Sequence, residues 1–100
     1  MALATIQRLQ RKFSEAVESY KSVLYIKEDY APALLGRADA HFGLNELDRA
    51  STYYQKALQM DPKLAAAEMG LARIAKLQKN NESYSQHLNK AKALDPAIKE

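Results

Sequence analysis

The sequence predicts an all-α protein, a stack of three antiparallel helical hairpins, and three observations carry that expectation. The chain repeats itself at a fixed interval, the one that separates Pro62 from Pro96. Within each copy, apolar residues recur at spacings of three and four, the mark of an amphipathic helix. Only three Gly and three Pro occur among 100 residues that are 47% hydrophobic, so little punctuation interrupts long helices.

The period is clearest at the end of each copy. Pro62 and Pro96 are 34 apart, and Lys56, Ala57 and Asp61 return as Lys90, Ala91 and Asp95. A shift of the same size aligns Phe13 with Leu47, Ala16 with Ala50, Tyr20 with Tyr54 and Leu24 with Leu58. In the first halves, Ala4, Ala38 and Ala72 share a phase, as do Gly36 and Gly70. Agreement at so many small and apolar positions marks a repeated supersecondary unit that buries its apolar face only by stacking on its neighbours.

The first copy, residues 1–28, is expected to hold helices at 2–11 and 14–27, the second carried by Phe13, Ala16, Tyr20, Val23 and Leu24. It begins inside its first helix, as a truncated repeat would, so the array is expected to be a piece of a longer protein on that side. The second copy, 31–62, is expected at 31–43 and 46–60; Pro32 suits a first helical turn, where its missing N–H would have no partner anyway. The third, 65–96, is expected at 64–78 and 81–94, with Asn80 and Asn81 as candidate N-caps and 97–100 as a tail. Asp-Pro at 61–62 and 95–96 separates hairpins, because proline cannot continue a helix. Lys92 and Asn81 stand where earlier copies have Leu or Phe, so the last helix reads equally as a natural cap or as an array cut short. Exposed terminal flanks make self-association a further expectation.

All 100 residues are expected to form one domain. With no cysteine, disulfides, thiolate metal sites and a cysteine nucleophile are excluded. Fifteen Lys/Arg against twelve Asp/Glu give a net charge of +3, with both signs interspersed as on an ordinary protein surface. No stretch approaches the ~18 apolar residues of a membrane span, and the start does not read as a signal peptide. No membrane insertion and a cytoplasmic location are expected. His41 and His87 have no metal-spaced ligands on their own helix faces, Gly36, Gly43 and Gly70 fall inside helices, and Ser83 and Ser85 lack a nucleophile turn. No catalytic residue, metal or cofactor is expected, and the chain does not read as an enzyme.

Residues 33–62, ALLGRADAHFGLNELDRASTYYQKALQMDP, resemble a tetratricopeptide repeat in Ala38, His41, Leu44, Leu47, Ala50, Tyr54, Ala57 and the closing Pro62. The resemblance extends over essentially the whole chain and implies a right-handed α-solenoid. Three departures stand out. The turn between helices, where the family favours Gly, carries Arg11, Asn45 and Lys79; Asn tolerates the left-handed conformation better than the two basic residues. Tyr84 replaces the small second-helix residue, so the last hairpin should splay or shift its register. Arg37 stands where Leu is usual, and its charge must reach water or a partner such as Glu68.

The resemblance also implies a concave groove lined by the first helices of successive hairpins. Carried over residue by residue, it would present Thr5, Arg8 and Leu9, then Leu35, Asp39 and Phe42, then Ala66, Met69, Arg73 and Lys76. An apolar floor of Leu35, Phe42 and Met69 beside Arg8, Arg73 and Lys76 suits an acidic or amphipathic segment of another protein. The expected function is thus a protein–protein interaction module or scaffold. Alternatives are a basic nucleic-acid groove, suggested by a pI near 9.2, or the non-catalytic targeting segment of a larger enzyme. Family members that grip a chaperone's C-terminal carboxylate use a set of Lys, Asn and Arg; the matching positions here are Met1, Thr5, Gly36, Ala66 and Gly70, so no chaperone tail is expected as ligand.

Overall fold

Helix formers, small residues at the repeat's spacing and two Asp-Pro stops become, in a computed structural model, an all-α stack. The structure describes residues 2–28 and 30–98, with side chains from Lys12 onward. Five helices form among them, α1 (Ala2–Ile26), α2 (Ala31–Gly43), α3 (Leu47–Met60), α4 (Ala65–Leu77) and α5 (Asn81–Leu94), with no strand. Each helix packs on the next, and α2 also touches α4, as in a solenoid.

One expectation is corrected. The separate helices expected at 2–11 and 14–27 are a single helix, α1. Asn45 and Lys79, at the other two turns, sit in the left-handed region with φ of 62° and 60°, whereas Arg11 is helical. Gln7, Arg8, Leu9, Gln10, Arg11 and Lys12 are all good helix formers, and none enters the left-handed region easily. Continuing the helix is therefore cheaper than turning.

The two turns that form share one hydrogen-bond pattern. Glu46 N–H donates to the His41 carbonyl at 2.9 Å and Asn45 N–H to Phe42 at 2.9 Å; one repeat later, Asn80 N–H donates to Ala75 and Lys79 N–H to Lys76. Both are Schellman closures, which need a left-handed residue just past the helix. Lys79 fills that place with a Cβ that strains the backbone. Lys79→Gly is expected to raise stability by about 0.5–1 kcal/mol, read as a higher urea midpoint at unchanged slope.

Asp61 and Asp95 close their hairpins alike. The Asp61 carboxylate accepts from Lys63 N–H at 3.2 Å and the Asp95 carboxylate from Ala97 N–H at 3.1 Å, turning the chain around each proline. Asn80 caps α5 by accepting from Ser83 N–H at 3.2 Å, as its position predicts.

The core follows the repeat. Ala38, Ala50, Ala57, Ala72 and Ala91 are fully buried, so neighbouring helices approach closely. The main cluster joins Leu24, Leu34, Tyr54, Leu71 and Ile74; a second gathers Met69, Ala72, Leu88 and Ala91 under Tyr84 and Ile98. The splay expected from Tyr84 is absent: α4 and α5 pack as extensively as α2 and α3. Tyr84 is only half-buried, with Lys76 Nζ 5.6 Å from its ring centre, so it covers the edge of the hairpin instead of prising it open.

Candidate functional site

The period that places alanines in the core also sets the junctions between successive units. Gly36 and Gly70 lie on α2 and α4 beneath Tyr20 and Tyr54, each a tyrosine from the preceding helix. A methyl group at Gly70 would stand within 2.6 Å of three Tyr54 ring carbons, and one at Gly36 within 2.6 Å of three Tyr20 atoms. Glycine is required here for space, since a Cβ would occupy the volume of the ring. Tyr54 is 2% exposed, and its hydroxyl donates to the Asp39 carboxylate on α2. Burial first, then the hydrogen bond and the negative charge of Asp39, push the Tyr54 hydroxyl well above the usual tyrosine range, while the Arg73 charge acts in the opposite sense.

This junction opens on a hollow of about 300 Å³ lined by Asp39, Ala65, Ala66, Met69, Arg73, Asp95 and Ile98. Asp39, Ala66, Met69 and Arg73 from the expected groove therefore meet in one place. Asp39 and Arg73 are exposed, whereas Met69 is 8% exposed, in a cluster against which Ile98, from the turn after α5, packs. Leu35 and Phe42 are half-buried against the main core, outside the lining of this hollow. Lys76 leans over Tyr84 on α5. The side chains of Thr5, Arg8 and Leu9 lie outside the described residues. Asp95 and Ile98 add a carboxylate and an apolar lip that the sequence did not announce. Each has a counterpart one full repeat earlier, Asp61 for Asp95 and Leu64 for Ile98.

Arg37 does not meet Glu68. Its guanidinium lies over the Tyr53 ring at 4.1 Å, and the Glu68 carboxylate instead contacts His87 Nδ1 at 2.9 Å. His41 is 2% exposed, stacks on Tyr53 at 5.5 Å between ring centres and contacts Glu46 through Nδ1 at 2.8 Å. It is the packing residue its position suggested, with the carboxylate across the turn holding its ring. Among the described residues no group of three or more His, Cys, Asp or Glu is placed to hold a metal ion. No helix among them is long and apolar enough to cross a membrane.

Against known proteins, residues 31–64 match the family pattern of the tetratricopeptide repeat. The chain is 30% identical to heat shock protein STI1 of Saccharomyces cerevisiae over 73% of its length, which is 12% of that protein. It is 38% identical to human Superkiller complex protein 3 over 57% of its length, 4% of that protein. It is 28% identical to the Hsp70-Hsp90 organising protein of Plasmodium falciparum over 88% of its length, 35% of that protein. The chain thus spans about a third or less of these curated relatives.

Proposed function

Because this chain belongs to the tetratricopeptide-repeat family, we propose that it is a non-catalytic protein–protein interaction module whose concave side, along α2 and α4, takes an acidic or amphipathic peptide segment of a partner. The observation that carries this reading is the meeting of Asp39, Met69 and Arg73 from two successive units in one open hollow. Arg73 is exposed beside an apolar wall, so a carboxylate on the ligand gains a partner while its neighbouring apolar side chain gains contact area. Such a site steers and orients, and its affinity comes from the apolar contacts.

Two of these relatives carry a heat shock protein in their names, but chaperone-tail capture is not the reading favoured for this chain. Gly36 and Gly70 occupy two of the positions where that function needs a gripping side chain. The Tyr20 and Tyr54 rings fill the space such side chains would need.

A fluorescein-labelled amphipathic helical peptide with Glu along one face tests the proposal by fluorescence anisotropy. Arg73→Glu is expected to weaken binding at least about fivefold, or roughly 1 kcal/mol, with an unchanged circular dichroism spectrum. Equal affinity in wild type and variant would sink the reading. Phe42→Ala is the less discriminating variant, because Phe42 packs against the main core and its loss also lowers stability.

A further inference from the structure

On α2, Arg37 lies two residues from both Leu35 and Asp39, about 200° round the helix, so it faces away from the concave hollow. There a second hollow, of about 430 Å³, is lined by residues of α1, α2 and α3. The Tyr53 ring forms part of its wall, with the Arg37 guanidinium 4.1 Å and Lys56 Nζ 5.0 Å from the ring centre. Among the described residues neither cation forms an ion pair. Arg37 Nε is buried without an acceptor. Glu28 also lines the hollow, but it is exposed and pairs with neither cation.

The repeat supplies an internal comparison. A hollow of about 450 Å³ is lined by residues of α3, α4 and α5. Its residues Leu58, Pro62, Glu68, Leu71, His87 and Lys90 are Leu24, Glu28, Leu34, Arg37, Tyr53 and Lys56 of the first hollow advanced by one repeat. In the later copy Glu68 takes the place of Leu34, and its carboxylate, in a residue 7% exposed, contacts His87, which takes the place of Tyr53. The later hollow thus carries its own buried carboxylate against its ring. The earlier one has Leu34 there and presents two cations on an aromatic ring instead.

We propose that the hollow between α1 and α3 is a second binding site, separate from the concave side, that accepts a glutamate or aspartate side chain of an extended acidic peptide. Arg37 and Lys56 hold the carboxylate beside the Tyr53 ring, and the next apolar side chain of the peptide lies against Met60, which is 48% exposed. Charge complementarity selects this occupant: a ligand carboxylate supplies here what Glu68 supplies one repeat later. The inference stands independently of the concave-groove reading.

The test is a titration of the isotope-labelled full chain, followed by nuclear magnetic resonance, with a peptide of alternating Glu and Leu and its Gln-for-Glu counterpart. The acidic peptide is expected to shift the Arg37, Tyr53 and Lys56 resonances, and the Gln peptide to leave them in place. Lys56→Glu, at an exposed position on α3, is expected to weaken binding about tenfold. Arg73→Glu is expected to leave the Arg37 and Tyr53 shifts intact. Shifts confined to Asp39 and Arg73 would overturn this site while leaving the concave reading standing. Equal shifts from the Gln peptide, or none at millimolar acidic peptide, would overturn it as well.

Discussion

Gly70→Val is expected to destabilise the fold by about 2–3 kcal/mol, although the same change on an exposed helix would be close to neutral or stabilising. Two effects compete. Replacing a helical glycine relieves up to about 1 kcal/mol of backbone entropy. The added carbons, however, must enter a volume already held by the Tyr54 ring, whose atoms stand within 2.6 Å of the position of a new Cβ. Tyr54 cannot swing clear, because it is buried and its hydroxyl is held by Asp39. Overpacking therefore wins. Gly36→Val, at the equivalent place one repeat earlier, is expected to cost less, since Tyr20 is only half-buried and can give way. Urea unfolding followed by helical circular dichroism gives both values; a Gly70→Val protein as stable as wild type would refute the account of the junction.

Tyr54→Ala is expected to cost about 3–5 kcal/mol, the range for emptying a large buried aromatic site. Tyr54 is the largest fully buried side chain among the described residues, and it joins α3 to both α2 and α4. Tyr54→Phe keeps the ring in place and loses only the hydroxyl bond to Asp39, which is exposed and can turn to water, so the expected cost is about 1 kcal/mol. Wild type and Tyr54→Phe also separate in alkali. Folding raises the Tyr54 hydroxyl above its ordinary value near 10, through burial first and the Asp39 bond second. The folded state thus favours the protonated form, and its contribution is fully present below pH ~10 and falls as pH rises beyond that value. Wild type is expected to lose stability with pH in that range more steeply than Tyr54→Phe. Parallel curves would show that Tyr54 is not the group responsible.

These two predictions rest on a pairing that the sequence announced without explaining. Gly36 with Gly70 and Tyr20 with Tyr54 were visible as separate periodic matches. That each glycine exists to admit a tyrosine from the preceding unit required the helices to be stacked. The groove was legible in the same partial way. The resemblance to the tetratricopeptide repeat implied that Asp39, Met69 and Arg73 share a groove, and packing brought them to one hollow. Periodicity could not reveal that Ile98 would pack on the cluster of Met69 or that Lys76 would turn to Tyr84, since both depend on contacts across different elements. Arg37 and Glu68, matched by charge alone, found other partners, the Tyr53 ring and His87.

The all-α class, the repeated unit, the Asp-Pro stops, the Asn80 cap and the alanines of the core could all be read along the chain. Each of these is set by local propensity or by a period that the chain carries along its length. Packing between helices settled the rest: whether a permissible turn would be made, which small residue sits under which ring, and which hollow lacks an internal carboxylate. Asn45 and Lys79 turn because the helices on either side find faces to bury against one another, a reward large enough to offset the strain at Lys79. At Arg11 local preference prevails, and the helix runs on through the place where the repeat would have turned.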